Sequence, residues 1–389
     1  MDRIRKTRKF LGISLALAAA LAVGAATALF GVCGPFSDVS DAGFCPFVIE
    51  VFYLGITTGT SPTTYDPARA VSRLQMAAFL SRSADQVLKR AGRRAALNRY
   101  WTTQGSINLG LTTVGLSPLN VQSDGLDLWV ANNSDGTVSR VRGGDGRLLE
   151  TWTGATGAHG VLTAMGKIFV TAQMTPGRLY QIDPALAAGA VTTVASPLGN
   201  QTTGIAFDGA RIWTASVTST ISIVTPTAAL PWTVTSVSTG FIDPIGLVYD
   251  GTNIWAADVG ANTLLKLDSN AAILQTVTLG SGPKSPIFDG TNIWVTNNFD
   301  ASVSVVRAST GAVLATLTGN GLNTPNIAAF DGQRILVANG ANNVSVWKAA
   351  DLTPIGTFFT GASSGPHGAC SDGINFWITL PGASKLARF

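Results

Sequence analysis

The sequence predicts an all-β seven-bladed β-propeller preceded by a small α-helical module. Three observations carry the propeller. The first is a recurring phrase, Asp-Gly-x-x-Ile-Trp, found at Asp250–Trp255 and Asp289–Trp294, with variants at Asp124–Trp129, Asp208–Trp213, Asp331–Leu336 and Asp372–Trp377. The second is its period. Counting a degenerate copy that ends at Ile168-Phe169, the anchors are Trp129, Phe169, Trp213, Trp255, Trp294, Leu336 and Trp377, so their spacings are 40, 44, 42, 39, 42 and 41. Repeats of this length with strand-like residues and turn signals are the mark of propeller blades. The third is sparse charge, 12 % of the chain, with small polar residues in its place, which suits β-rich secreted proteins.

In chain order, residues 1–28 read as an export signal. Arg3, Arg5, Lys6, Arg8 and Lys9 precede an apolar run, and Ala26-Thr27-Ala28 offers a small-residue cleavage site. The apolar run over 10–32 is also long enough for an uncleaved membrane anchor. Without residues 1–28 the 26 basic and 22 acidic residues become 21 and 21. The remaining chain is then neutral, and nucleic-acid binding has no electrostatic support.

Cys33 and Cys45 flank a short segment just past this signal. Export places them where disulfides persist, and a Cys33–Cys45 bridge is one reading of the pair. Cys370, in an apolar strand, reads as a buried small hydrophobe.

Residues 36–99 read as a helical module with a basic helical linker. Phe44, Phe47, Val48, Val51 and Phe52 fall on one helix face. A turn-rich loop runs from Thr57 to Asp66. Ser72 and Gln75 have capping-box spacing, and Met76, Phe79, Leu80, Ala84, Val87 and Leu88 form the stripe of a second helix. Lys89, Arg90, Arg93, Arg94 and Arg99 lie beyond it. So small a unit buries little surface alone and calls for a disulfide, a partner or further copies of itself.

These residues resemble the S-layer homology domain. The resemblance rests on Phe36-Ser37-Asp38-Val39, Gly55-Ile56, Tyr65-Asp66-Pro67 and Val71-Ser72-Arg73-Leu74-Gln75. It implies a cell-surface protein that binds cell-wall polysaccharide, with Arg73, Gln75 and Tyr65 at the glycan groove. A guanidinium at that place suits an anionic glycan. The family usually carries three tandem copies and a Trp at the first helix; this chain carries one copy and Phe44.

Residues 102–389 read as the propeller, each repeat giving four strands. In the fourth blade these are Gly246–Tyr249, Ile254–Ala257, Leu264–Leu267 and Ile273–Val277. Asp-Gly supplies the hairpin turn, and the Trp is expected to pack between sheets. The last repeat lacks an outer strand, while a spare strand lies near 105–114. The expectation is that this strand completes the seventh blade and closes the ring.

The repeats resemble YVTN surface-protein propellers and, more distantly, the virginiamycin B lyase propeller. The lyase resemblance implies a His with a nearby Glu and a magnesium ion. The sequence lacks that combination, because the propeller's one glutamate, Glu150, is expected on an outer strand. No metal site, catalytic constellation or cofactor motif is read from the residues.

Aligning the blades on the Asp-Gly turn exposes a ring of variable residues, many preceded by Pro: Leu119, His159, Thr203, Ile245, Lys284, Asn326 and His367. They enter the inner strands and should crowd one mouth of the central channel. The chain's two histidines are both in this ring. The same face should carry amide-rich loops with Asn132, Asn133, Asn262, Asn297, Asn298, Asn339, Asn342 and Asn343, joined by Asp258 and Asp300, which suits a hydroxyl-rich or peptide ligand. The expected function is a secreted cell-surface binding or scaffold protein. Its module would hold wall polysaccharide and its propeller a protein or glycan. The alternative is a secreted lyase or glycan-active enzyme using the two histidines.

Overall fold

The computed structural model describes residues 33, 35–41, 43–53, 56–73, 75–77, 79–80, 83 and 110–389. The export signal or anchor over 1–28, the basic linker and the first part of the 105–114 strand lie outside the described residues. The chain divides into two compact units, residues 1–99 and 100–389.

In the first unit, helix α1 spans Cys45–Tyr53. Its core is built on Phe36, which is fully buried among Val39, Val48, Phe52 and Tyr65. The Phe36 ring lies 5.1 Å from Phe52 and 5.4 Å from Tyr65. Cys33 and Cys45 are disulfide-bonded, with Cα atoms 5.4 Å apart. The Asp38 carboxylate accepts from the Tyr65 N–H at 2.8 Å and the Asp66 N–H at 2.7 Å, fixing the loop end against the first segment. The capping box forms: Ser72 N–H donates to Gln75 Oε1 at 2.9 Å, and Gln75 N–H to Ser72 Oγ at 3.2 Å.

The helix face differs from the expectation. Phe44 and Phe47 are 65 % and 63 % exposed. Cys45, Val48, Ile49 and Phe52 reach the Phe36 core instead. So small a core has room for one narrow stripe of α1. Met76 and Leu80 on the second helix are exposed as well.

The second unit is seven four-stranded antiparallel sheets. The first blade is β2 (Pro118–Ser123), β3 (Asp127–Asn132), β4 (Thr137–Arg142) and β5 (Leu148–Trp152). Five further blades repeat this order through β25 (Pro354–Phe359). The last sheet runs β1 (Gly110–Thr113), β28 (Lys385–Arg388), β27 (Phe376–Leu380), β26 (Ala369–Ser371). Gly110 pairs with Arg388 and Thr113 with Lys385. Strands from both ends of the unit thus share one blade, which covers an edge that would otherwise be open.

The turn chemistry explains the recurring phrase. The six Asp-Gly glycines have φ between 88° and 98°, a conformation that favours glycine. In the fourth blade Asp250 Oδ1 accepts from the N–H groups of Thr252 and Asn253 at 2.8 and 2.7 Å. Its other oxygen takes the Trp255 indole N–H at 2.7 Å. Asp124–Trp129, Asp208–Trp213, Asp289–Trp294 and Asp372–Trp377 repeat that bond at 2.7–2.8 Å. Each of these indoles is at most 1 % exposed and packs on the next blade: Trp129 with Ile168 and Val170, Trp255 with Ile293 and Val295. Where Leu336 replaces Trp, the buried Arg334 side chain takes the carboxylate of Asp331 at 2.8 Å. In the degenerate second blade Phe169 fills the wedge and a Met165-Gly166 turn replaces Asp-Gly.

Burial opposes ionisation of Asp124 and Asp208. The indole and turn donors, with Arg140 and Arg211 nearby, outweigh it and hold both carboxyls below the usual range. Their folded pKa is depressed, so this stabilisation is present above the unfolded value and lost as pH falls through the folded one.

Two outcomes are expected. Asp250→Ala strands a buried indole N–H and should lower stability by about 1–3 kcal/mol in urea titration. Truncation after Gly382 removes β28 from the interior of the closing sheet. It should lower the melting temperature of the whole propeller; an unchanged transition would contradict this role for β28.

Candidate functional site

The channel-mouth ring is a set of β-bulges. In six blades the inner-strand register breaks at the ring residue, as between Pro118 and Asn120, Thr202 and Gly204, and Pro244 and Gly246. A bulge turns its residue out of the ladder and re-aims it. The bulges are tied blade to blade through buried threonines. Gly160 N–H donates to Thr171 Oγ1 at 2.8 Å, and that hydroxyl donates to the carbonyl of Thr203 in the next blade at 3.0 Å. Ser285, Thr296 and Asn326 repeat the relay. Gly368, Thr379 and Leu119 carry it across the closure of the ring. A Cβ on Gly246 would stand 2.1 Å from the Lys284 carbonyl, so only glycine permits that approach.

Six of the seven ring residues line a cavity of about 510 Å³: Leu119, His159, Thr203, Ile245, Lys284 and His367. Asn326 is buried and holds Lys284, whose Nζ donates to Asn326 Oδ1 at 2.8 Å. The amide is itself oriented, because Asn326 Nδ2 donates to the Pro366 carbonyl at 3.0 Å. The two imidazoles meet edge to face, with centroids 6.2 Å apart. His367 Nδ1 donates to the Leu119 carbonyl at 2.9 Å, which fixes its tautomer. Asn120 Nδ2 lies 3.5 Å from His159 Nδ1, and the Thr203 carbonyl accepts from the same ring.

Both rings line the cavity and are half-buried, with much of each packed against protein. Burial, then His367 and Lys284, push His159 down to about 3 against the pull of the Thr203 carbonyl. Burial, then Lys284, push His367 down to about 4 against the Leu119 carbonyl. Burial lowers Lys284 as well. At neutral pH the mouth therefore presents two uncharged imidazoles beside a lysine. The magnesium ion that the lyase resemblance implies does not fit here. A hard dication needs several oxygen ligands, and the cavity wall contains no carboxylate. Among the described residues no group of three His, Cys, Asp or Glu could hold a metal. Glu150 sits on the outer strand β5 and pairs with Arg140.

The amide-rich face is corrected by the structure. Asn132, Asn297, Asn339 and Asp258 are fully buried. Asn297 Nδ2 donates to the Ser302 and Ser304 hydroxyls, and Asn132 makes the same pair of bonds to Thr137 and Ser139. Asn133 and Asn298 reach backbone carbonyls of the following blade, while Asn262 and Asn342 accept from backbone N–H groups. Asp258 accepts from the N–H groups of Ile242, Asp243 and Ala261. Asn132, Asn297, Asn339 and Asp258 brace loops and are closed to a ligand, while Asn133, Asn262, Asn298, Asn342 and Asn343 are half-exposed.

In the helical module, Tyr65 packs on Phe36 and the Gln75 carboxamide serves the helix cap. Of the three residues proposed for glycan, Arg73 and Gln75 are exposed and outside the core, and Tyr65 is half-buried against it. The sequence reading missed the threonine relay. Its signal is a Thr two residues after the anchor, in Phe169-Val170-Thr171, Trp294-Val295-Thr296 and Trp377-Ile378-Thr379.

The histidine pair has a pH consequence. Both folded values lie below the ordinary 6.5, so the unfolded chain binds more protons between about 6.5 and about 4. Stability to urea should fall as pH drops through that window, and His367→Gln should flatten the fall. Equal slopes for variant and parent would contradict the assignment.

Residues 35–77 match the S-layer homology domain, which marks the chain as associated with the cell surface. No curated protein sequence matches the chain. Among solved structures, a streptogramin B lyase aligns over 74 % of this chain and 99 % of its own, with a TM-score of 0.61 and 16 % identity. Virginiamycin B lyase from Staphylococcus aureus aligns over 72 % and 99 %, with the same TM-score and identity. A catalytically inactive form of that lyase with quinupristin aligns equally well at 15 % identity. Likeness at this identity establishes fold. The chain thus joins one S-layer homology domain to a seven-bladed propeller shaped like those of the virginiamycin B lyases.

Proposed function

We propose that this is an exported cell-surface binding protein. The S-layer homology domain tethers it to cell-wall polysaccharide, and the propeller captures a ligand at its channel mouth. The observation that carries the reading is the mouth itself. Bulges on the inner strands aim side chains at one cavity, and threonine relays hold those bulges. A preformed concave site with a few oriented polar groups on an apolar wall is the usual form of a ligand site. For the tether, Arg73 is the contact residue: it is exposed, and its guanidinium suits acidic wall glycan.

A second reading is a secreted lyase or glycan-active enzyme. Two neutral imidazoles 6.2 Å apart at the mouth favour it, as does the likeness of the fold to solved lyases. A neutral imidazole can accept a proton. At about 3 and about 4, however, these two are weak bases far from the operating pH of an efficient general base. Binding is therefore the better supported role.

Full-length protein without its export segment should sediment with purified cell-wall polysaccharide. Arg73→Glu should weaken that association by about tenfold or more, since it replaces an attractive contact by a repulsive one. Equal sedimentation of parent and variant would remove Arg73 from the tether; failure of the parent to sediment would remove the tether.

A further inference from the structure

The channel mouth is electrostatically one-sided. Several cations of the propeller meet acids, Arg140 with Asp127, Lys167 with Asp183, Arg211 with Asp208 and Arg334 with Asp331, while Lys266 and Arg388 donate to backbone carbonyls. Lys284 meets an amide instead. Its Nζ donates to Asn326 Oδ1, and no acid among the described residues pairs with it. An ammonium has three N–H donors, and this bond uses one. The amide is pinned by the Pro366 carbonyl, so it positions the cation without neutralising it.

We propose that the mouth recognises a carboxylate on its ligand, held between the Lys284 ammonium and the His159–His367 pair, with a proton taken up on capture. This rests on the binding reading above. The cavity wall has three ionisable side chains: His159 from β6 (Ala158–Ala164), Lys284 from β18 (Pro283–Phe288), and His367 from the segment before β26. Strand β2, β10 (Thr202–Phe207), β14 (Pro244–Tyr249) and β22 (Pro325–Phe330) give the wall uncharged residues alone. Asp243, in the loop before β14, and Asp258, at the end of the following strand, are not part of the wall. Every titrating group that faces the site thus gains from an incoming negative charge.

The anion is a carboxylate and not a phosphate, for two reasons. A phosphate dianion is commonly cradled by free backbone N–H groups or by Arg. Here the bulge N–H groups of Gly160, Ser285 and Gly368 already donate to threonine hydroxyls. The rest of the wall is uncharged, with apolar Val121, Val161, Ile205 and Leu247 beside polar Asn120, Gln122 and Gln173. It suits a partly apolar body with uncharged polar groups and one monoanionic group.

Proton uptake follows from the same arrangement. In the free protein the imidazoles are neutral above about 4. A carboxylate beside them favours their charged form and raises their pKa. Between the free and bound values, lowering the pH by one unit strengthens capture by up to about tenfold for each proton taken up.

The chain has two histidines, so a tag-free protein gives two imidazole Cε1–H signals by NMR. Benzoate and its neutral amide, benzamide, are the probes, each added up to the solubility of benzamide. Benzoate should shift both signals, raise their apparent pKa and bind more tightly as pH falls from 8 to 5, whereas benzamide should have little effect. Lys284→Met, which keeps the volume of the side chain, should abolish the benzoate response. Its folding is verified by an unchanged melting transition. If that variant does not fold, His367→Gln is the second test: the His159 signal should still move with benzoate, but with reduced proton uptake. Benzamide shifting the signals as strongly as benzoate would leave the mouth a binding site and overturn the carboxylate. Silence with both probes would overturn the carboxylate and remove the support for ligand capture at the mouth.

Discussion

The structure depends on one bond repeated around the ring, from the indole N–H of a wedge tryptophan to the carboxylate of its own hairpin turn. A Trp that fills the space between diverging sheets buries an N–H that calls for a partner. The Asp of Asp-Gly-x-x-Ile-Trp supplies it, with one oxygen on the turn and the other on the indole. A single carboxylate therefore fixes a turn and a wedge together. Cations then lie over several of these rings: Arg140 over Trp129 at 5.2 Å and Lys266 over Trp255 at 5.1 Å. The sixth blade shows that the carboxylate needs a donor and that the donor need not be Trp, since Arg334 takes the place and stacks 5.0 Å above Phe376 of the next blade.

With the wedges fixed, the inner strands converge and the channel mouth follows. Neighbouring strands approach so closely that Gly160, Gly204, Gly246 and Gly368 face a carbonyl of the adjacent blade. Threonine relays join one blade to the next at Gly160, Ser285 and Gly368. Ring residues have no ladder partner of their own, which frees them to vary. The frame uses residues the period demands, and the mouth uses residues it does not. Lys284, His159 and His367 stand where frame and function separate.

Much of the fold was legible in the chain because its cause is periodic. Asp, Gly and Trp recur at fixed offsets, and the strands follow from them. The ring could be found by the same alignment, which counts back from the Asp to His159, Lys284 and His367. What the sequence hid was the state of side chains that only three-dimensional packing decides. Asn132, Asn297 and Asn339 read as ligand amides, but they are buried against Ser and Thr hydroxyls or a neighbouring amide. Phe44 and Phe47 obey a helical period, yet the core around Phe36 is too small to cover them. Tyr65 and Gln75 belong to a recognisable motif, and in this unit they serve its core and its helix cap. The charge asymmetry of the mouth was equally invisible, since it arises from residues far apart in the chain.

The central claim is that recognition occurs at the channel mouth and not on the loops, the wedge tryptophans or the outer blade faces. The most direct measurement is a crystallographic screen of the propeller with small anionic and neutral fragments. Fragment density is expected in the cavity, with a carboxylate oxygen within hydrogen-bond distance of Lys284 Nζ. Fragments that gather on the outer surfaces while the mouth stays empty would contradict it.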